Sequence, residues 1–232
     1  MKVVRSDVLS LVSSSPWNQP ATVTGFAQSP PNATLIRFVK AEGRERPKLK
    51  ILDIGCGAGR NAGPLADAGH DVLGMDLSTP MIQSARFRAI RGPGHLHLAL
   101  AQMDAIPARD RSFDLVIAHG IWNLARSGAE FRRALREAAR VSTPQAALFV
   151  FTFSRHTLPP HVLPVPDETF VFTQFSGQPQ CFLTGEQLVA ELGAAGFTPD
   201  PAVPLTEHNR PRPGLLNTGG PVIYEGAFRF AP

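Results

Sequence analysis

Residues 51–60 read Ile51-Leu52-Asp53-Ile54-Gly55-Cys56-Gly57-Ala58-Gly59-Arg60, and this stretch predicts the fold. A short apolar strand ends in a carboxylate and continues into three glycines at alternate positions, with a helix expected from Asn61 toward Ala68. Glycine adopts positive φ and has no Cβ, so such a loop turns sharply and lets backbone N–H groups approach a ligand. The N-terminus of the following helix suits an anionic group. A carboxylate beside an anion site indicates a zwitterionic ligand.

Other classes of glycine loop fit this stretch less well, although a glycine-rich strand–loop–helix by itself also suits nucleotide binders. The dinucleotide fingerprint G-x-G-x-x-G requires a third glycine at position 60, where this chain has Arg60. The phosphate loop G-x-x-x-x-G-K-[ST] is absent, because Arg60-Asn61 follows Gly59. Both phosphate-binding interpretations therefore meet a direct mismatch.

A second buried strand is predicted within residues 71–78, and it ends in an acid, Asp76. Asp76 lies 17 residues after Gly59, about where a doubly wound fold places its second strand tip. A carboxylate at that point can accept hydrogen bonds from both hydroxyls of a ribose. The alternative role is a helix N-cap or turn residue, because Ser78-Thr79-Pro80 carries the usual signals of a helix start. The two roles are compatible, since a strand tip and a helix start coincide.

Three more strands continue the pattern. A third strand is predicted within residues 96–105, where Asp104 can accept from an exocyclic adenine amine while the N–H of Ala105 faces a ring nitrogen. A fourth, at residues 113–120, is apolar enough to be central in a parallel sheet. The fifth is expected at residues 146–153.

This series of motifs resembles the class I S-adenosylmethionine-dependent methyltransferases, closely over residues 49–153 and more loosely to the end of the chain. The resemblance implies an α/β fold: a doubly wound, Rossmann-like sheet, mostly parallel, of seven strands with an antiparallel last strand. It also implies S-adenosylmethionine as the cofactor, whose amino-acid end is a zwitterion. The cofactor-binding positions it implies are Asp53, Gly55, Gly57, Gly59, Asp76, Leu77, Asp104, Ala105 and His119.

Four segments organise the chain. They are an N-terminal arm and helix (1–48), a cofactor-binding core (49–154), a Pro-rich, lid-like insertion (155–181), and a C-terminal helix and strand pair that completes the same domain (182–232). In the arm, a helix is expected from Asn32 to Ala41, and Trp17 and Phe26 either close over the cofactor or staple the arm to the core. Pro-rich loops as long as the insertion are usually functional. A later helix is predicted from Thr184 to about Ala195, with the capping-box partner Gln187. Two strands are expected after it, near residues 197–205 and 222–230.

Candidate catalytic and acceptor residues follow the strands, because doubly wound sheets bind ligands at the carboxyl ends of their strands. His119, after the fourth strand, is the best candidate for a general base, although a histidine there can instead pack against the cofactor or bond to backbone. Trp122 and Asn123 are expected to line the acceptor pocket and to orient the acceptor. His156, after the fifth strand, and the cluster at residues 207–210 are further pocket candidates. The histidines lack metal-ligand spacing, so no metal is expected.

The charge pattern gives little support for a nucleic-acid partner, despite a net charge of +4 and a pI near 9.6. Basic residues are scattered, and the densest group lies on a helix predicted from Ser127 to Val141, where it forms a solvated face. That group is Arg132, Arg133, Arg136 and Arg140.

The sequence therefore predicts a methyltransferase acting on a small-molecule acceptor. Two alternatives stay open: a methyltransferase acting on protein or RNA, and a cofactor-binding module without transfer activity. Cys56 and Cys181 lack metal-ligand spacing and are expected as free thiols in a reducing cytoplasm. Neither a secretory leader nor a membrane span is expected. The oligomeric state and the identity of the acceptor are not predicted.

Overall fold

The computed structural model describes residues 15–88, 90–210 and 220–231. These residues belong to two compact units, Met1–Gln102 and Met103–Pro232. Among the described residues, no helix combines the length and the apolar character needed to cross a membrane.

The described residues of the first unit form a short 3-10 helix (Pro16–Asn18), four α-helices and three parallel strands. The helices are α1 (Pro20–Gln28), α2 (Ala33–Glu42), α3 (Ala62–Asp67) and α4 (Thr79–Arg86), and the strands are β1 (Lys50–Ile54), β2 (Asp71–Asp76) and β3 (His95–Leu100). The strands pair in the order β3-β2-β1, all parallel. Their carboxyl ends therefore lie at one edge, where the glycine loop follows β1. Ile51, Leu52 and Ile54 are fully buried, as expected for a strand covered on both faces.

Helix starts in this unit follow from local side chains. Asn32 caps α2 by accepting from the amide of Leu35, and Ser78 caps α4 by accepting from the amide of Met81. Helix α1 was not predicted from the sequence. Residues 1–31 are rich in Ser and Pro, and they were expected to form an N-terminal arm before the helix at Asn32. Pro20 occupies the first helical position, where its missing N–H is not needed, so proline there starts a helix instead of breaking one.

The second unit combines two parallel strands with antiparallel ones. Its main elements are β4 (Phe113–His119), α5 (Gly128–Val141), β5 (Ser142–Phe153), α6 (Gly185–Ala194), β8 (Phe197–Pro199), β9 (Thr206–His208) and β10 (Ile223–Phe230). β4 pairs with β5 in parallel, β10 pairs with β5 antiparallel, and β8 and β9 both pair with β10 antiparallel. The expected α/β class, the mostly parallel strands and the antiparallel last strand are confirmed.

Two strand boundaries differ from expectation. β5 begins at Ser142 and not at residue 146. The strand expected near residues 197–205 is split into β8 and β9, because Pro199, Pro201 and Pro204 remove backbone donors that a continuous ladder needs.

The insertion at residues 155–181 holds a small strand pair, β6 (Val171–Phe172) with β7 (Gln180–Cys181). After it, the expected capping box is confirmed: Thr184 accepts from the amide of Gln187, whose side chain accepts from the amide of Thr184. Gly196 has a φ of 90°, as expected for a residue that follows a helix end.

Candidate functional site

The glycine loop after β1 adopts a backbone that only glycine takes readily. Gly55, Gly57 and Gly59 have φ values of 69°, 53° and 73°, all in the left-handed region. The amide of Cys56 donates to the carbonyl of Met75 at 2.9 Å, which fixes the loop against the end of β2. The loop is thus a rigid turn at the carboxyl end of β1.

Asp53 is the buried acid beside this loop, with only 1% of its surface exposed. Its Oδ2 atom has no hydrogen-bond partner among the described residues. Burial raises the pKa of Asp53 to about 7, although the positive charge of Arg60 lowers it in part. A buried carboxylate oxygen without a partner is costly, so this site is suited to a cationic ligand group such as an amine.

Asp76 lies at the end of β2 and faces the same loop. Its Oδ2 accepts from the amide of Gly57 at 2.9 Å, and its Oδ1 accepts from the amide of Ser78 at 2.8 Å. Burial raises the pKa of Asp76, and these backbone hydrogen bonds oppose the shift. The helix cap is Ser78, so the alternative role of Asp76 as N-cap is wrong, although its role in the turn is real. Leu77 adds a third backbone hydrogen bond to this carboxylate. A carboxylate has about four lone-pair sites, so about one remains for a hydroxyl donor.

The N-terminal arm is fastened to this loop by residues that the sequence analysis did not single out. Arg88 donates to the carbonyl of Ala58 in the loop at 2.7 Å and to the carbonyl of Ala27 in the arm at 2.8 Å. The amide of Asn32 donates to the side-chain oxygen of Asn61 at 2.9 Å. Arginine to carbonyl contacts have no sequence pattern, so only the fold could reveal them.

Trp17 and Phe26 in the arm contact each other edge to face, with ring centroids 5.8 Å apart. The hydroxyl of Ser78 donates to Asn18 at 2.6 Å, next to Trp17. A Cβ built on Gly57 would lie 3.8 Å from the ring of Phe26. The arm therefore packs against the glycine loop and the start of α4, and the described contacts fit the staple role. Leu77, beside Asp76, is 38% exposed and offers an apolar surface.

In the second unit, Asp104 is already engaged by a protein partner. Its carboxylate accepts from Nε of Arg133 on α5 at 3.0 Å. The adjacent Ala105 is exposed. Asp104 keeps further lone pairs for a ligand, but any such ligand shares the carboxylate with Arg133.

His119 ends β4, and its ring stacks on Phe151 of β5, with centroids 4.2 Å apart and planes within 9°. Trp122 and Asn123 follow in a short 3-10 helix and are almost fully buried. Trp122 packs against Phe131, and neither its Nε1 nor the Oδ1 of Asn123 has a hydrogen-bond partner among the described residues. Both side chains thus carry polar atoms that a ligand or water can satisfy.

The structure brings together two of the further pocket candidates, one after β5 and one in the cluster at residues 207–210. His156 and Glu207 are 51 residues apart in sequence, yet Nδ1 of His156 lies 2.6 Å from Oε1 of Glu207. Arg210 contacts both side chains. The sequence offered these residues as separate candidates. It contains no pattern from which their contact, made through β9, could be predicted.

The insertion at residues 155–181 is tied down at its start. Arg155 donates to several carbonyls of residues 158–162, and its guanidinium lies 4.8 Å from the ring centroid of Phe172. Phe153, Phe172, Phe175 and Phe182 form an aromatic cluster beneath it. Leu163 and Phe175 are exposed apolar side chains of this segment.

Parallel strands with a glycine loop after the first and an acid at the end of the next define a Rossmann-like ligand-binding domain. Residues 51–145 match the family model described as a methyltransferase domain. This match covers less than half of the chain, and it supports the resemblance to the class I S-adenosylmethionine-dependent methyltransferases that was stated from the sequence.

Individual relatives agree with this family. The demethylmenaquinone methyltransferase of Renibacterium salmoninarum is 34% identical over 115 residues, which cover 49% of this chain and 45% of that protein. The ubiquinone biosynthesis O-methyltransferase of Azorhizobium caulinodans is 29% identical over 152 residues, which cover 64% and 58%. The chain thus matches about half the length of these curated relatives.

Solved structures show the same fold. A methyltransferase from Methanosarcina mazei, described as S-adenosylmethionine-dependent, superposes with a TM-score of 0.68 at 20% identity. The superposition covers 88% of this chain and 99% of the archaeal one.

Proposed function

We propose that this protein is an enzyme that binds S-adenosylmethionine and transfers its methyl group to a small-molecule acceptor. The observation that carries the proposal is Asp53, whose buried and unpartnered Oδ2 lies beside a rigid glycine loop. An ammonium group satisfies that oxygen, and loop amides suit the neighbouring carboxylate of an amino acid. When bound, the cofactor supplies a methyl group on a sulfonium, which is already activated for displacement.

Within the first unit, each candidate residue has a separate task. Asp53 holds the amine, the backbone of Gly55, Gly57 and Gly59 approaches the carboxylate, and Asp76 accepts from a ribose hydroxyl. Leu77 provides apolar contact next to the sugar. The adenine-side roles of Asp104, Ala105 and His119 are proposed from the family resemblance alone.

The protein's own contribution to transfer is mainly orientation. When an acceptor atom is held in line with the activated methyl carbon, much of the barrier to methyl transfer is removed without a further catalytic group. Trp122 and Asn123 are proposed to orient the acceptor, and His119 is proposed as a candidate base. A base is required only where the acceptor must lose a proton.

A small acceptor is favoured over nucleic acid by the state of the basic helix α5. Three of its arginines form ion pairs with acidic residues: Arg132 with Glu191, Arg133 with Asp104, and Arg140 with Asp110 and Glu137. Paired arginines attract a polyanion much less than a free basic stripe. One relative described above is named for demethylmenaquinone and the other for ubiquinone biosynthesis. Both names refer to small molecules, and this supports the same class here.

The setting proposed for the enzyme is the cytoplasm. Cys56 and Cys181 are both buried free thiols, which fits a reducing compartment. Burial raises the pKa of each thiol, so neither ionises readily.

Two experiments test the proposed function. Calorimetric titration should show binding of S-adenosylhomocysteine and no binding of NAD; the reverse result would overturn it. A methyl-transfer screen with labelled donor should then label small molecules and not bulk RNA or protein. Label in the macromolecular fraction alone would favour the alternative acceptor class.

A further inference from the structure

A compact group of five polar side chains lies in the second unit. His156 Nδ1 is 2.6 Å from Oε1 of Glu207, and the hydroxyl of Ser154 donates to the same oxygen at 2.5 Å. Arg210 donates to Oε2 of Glu207 at 3.3 Å, and Tyr224 also hydrogen-bonds to Glu207 and Ser154. One carboxylate thus accepts from four neighbours.

The group sits at the carboxyl end of β5. Ser154 follows the last residue of that strand, and His156 lies two residues further on. Because β10 runs antiparallel to β5, Tyr224 near its start is at the same edge, and Glu207 is its cross-strand neighbour on β9. This is the edge at which strands of doubly wound sheets present groups to ligands.

The two neighbours of His156 select the same tautomer. Glu207 is a carboxylate that can only accept, so Nδ1 of His156 must carry the proton. Arg210 can only donate, and its NH2 group lies 3.3 Å from Nε2 of His156. Nε2 is therefore the basic nitrogen with the lone pair. In the ligand-free structure this lone pair faces Arg210. The His156 side chain is 40% exposed and that of Arg210 is 61% exposed, so an acceptor hydroxyl can displace the arginine from Nε2 and take its place.

Glu207 is held in its charged form although it is only 15% exposed. Burial alone would raise its pKa, but hydrogen bonds from His156, Ser154 and Tyr224 outweigh burial and hold the pKa below its ordinary value. A carboxylate that orients a histidine and stabilises its protonated form is the usual support of a general base.

We propose that His156 is the general base for an acceptor with an acidic hydroxyl, a phenol or an enol, and that Glu207 is its positioning residue. This inference rests on the proposed function and names its substrate class. The O–H bond breaks, and its proton moves to Nε2 of His156. The oxygen keeps the electron pair and forms the new bond to the methyl carbon, whose bond to sulfur breaks with its pair on sulfur.

The hydroxyl class follows from what a histidine can deprotonate. A thiol ionises near neutral pH by itself, and an unprotonated amine attacks without prior loss of a proton, so neither requires this pair of residues. A phenol or an enol is favoured over an aliphatic alcohol, because proton transfer to imidazole is more efficient when the two pKa values are close. The guanidinium of Arg210 beside Nε2 adds a positive charge that stabilises a developing phenolate or enolate.

His119, the base candidate from the sequence, has a different setting. One face of its ring stacks on Phe151, and the ring of His156 has the carboxylate of Glu207 at hydrogen-bond distance. Comparing His119→Gln with His156→Gln therefore ranks the two histidines directly.

The test uses the full chain saturated with S-adenosylhomocysteine, with 4-nitrophenol as the probe because its visible absorption reports ionisation of its hydroxyl. Wild type should bind the probe with a gain in phenolate absorption. His156→Gln should weaken that binding by at least about tenfold, because one charge-assisted hydrogen bond is lost. His97→Gln is the matched control, since it is the same change at an exposed histidine on β3.

Labelled methyl transfer to a panel of phenols then measures rate. We expect His156→Gln to lower kcat by about 100-fold or more, and to raise KM in line with its weaker phenol binding. Added imidazole should partly restore His156→Ala but not Glu207→Gln, a result that loss of a structural contact would not give.

Two results overturn the inference. One is phenolate absorption in His156→Gln equal to that of wild type. The other is a wild-type protein that binds S-adenosylhomocysteine but gives no signal with the phenol, which would leave the proposed function standing. Failure of the proposed function is separate, because it appears as loss of S-adenosylhomocysteine binding itself.

Discussion

The amide of Gly57 donates a hydrogen bond to Oδ2 of Asp76 at 2.9 Å, so the tip of β2 holds the glycine loop that follows β1. The other carboxylate oxygen accepts from Ser78 at the start of α4. A residue proposed to bind the ribose thus also fixes the loop proposed to bind the amino-acid end. Cofactor affinity and local stability are therefore coupled at this carboxylate.

Asp76→Ala should weaken binding of S-adenosylhomocysteine by at least about tenfold. The variant leaves a ribose hydroxyl without its acceptor, and each charge-assisted hydrogen bond contributes roughly 1.5–3 kcal/mol. The melting midpoint should also fall, because the Gly57 amide loses its partner. Calorimetry and thermal melting of the same variant measure both effects.

Ser78→Ala is the comparison for that variant. It removes the N-cap of α4, which should cost about 0.5–2 kcal/mol of stability, while the Asp76 carboxylate remains. If both variants lost stability equally and neither lost affinity, the assignment of Asp76 to the ribose would be wrong.

Gly57→Val should abolish cofactor binding. The glycine has a φ of 53°, which a β-branched residue adopts only with strain, so the loop must change its path. Gly25→Ala is the matched control, because Gly25 lies in α1 with nothing within 4 Å of an added Cβ. That control should retain binding and gain up to about 1 kcal/mol from helix propensity. Normal affinity in Gly57→Val would contradict this placement of the loop.

The first unit shows how much local sequence determines. Alternating glycines, the acids at the ends of β1 and β2, and the Asn32 and Ser78 caps are short-range signals, and the elements they predicted are present. Helix α1 was missed because a proline-rich composition was interpreted as irregular structure, although Pro20 is at a position that favours a helix.

Contacts between distant segments could not be predicted in the same way. Arg88 and the pair formed by His156 and Glu207 depend on which side chains the fold brings within 3 Å. A single sequence carries no periodicity for such contacts. They are consequences of topology, above all of β9 pairing with β10.

Arg88→Ala should release the N-terminal arm from the glycine loop. Arg88 bridges Ala58 in the loop and Ala27 in the arm, so its loss should speed proteolytic cleavage within residues 15–28 and weaken S-adenosylhomocysteine binding several-fold. Arg86→Ala removes the same charge from an exposed position on α4 and is the control. Identical cleavage rates in the two variants would show that Arg88 does not hold the arm.

Because Asp53 is buried, the free energy of unfolding depends on pH, and burial determines the direction of that dependence. Burial raises the pKa of its carboxyl from 3.8 to about 7, so between these values the folded, ligand-free protein holds a proton that the unfolded chain has lost. The contribution of this group to stability is therefore full below pH 3.8 and is lost as pH rises toward 7.

Asp53→Asn should remove that dependence and, near pH 7, make the ligand-free protein more stable than wild type by at most about 4 kcal/mol. The same variant should bind S-adenosylhomocysteine at least about tenfold more weakly, because a neutral amide replaces the partner of the ligand amine. In wild type near pH 6, an ammonium group beside Asp53 should expel its proton, so the calorimetric enthalpy should vary with the ionisation enthalpy of the buffer. Thermal melting from pH 4 to 7 and titrations in two buffers measure these effects. Parallel pH curves for wild type and Asp53→Asn, with equal affinity, would show that this carboxylate neither carries the buried proton nor binds the amine.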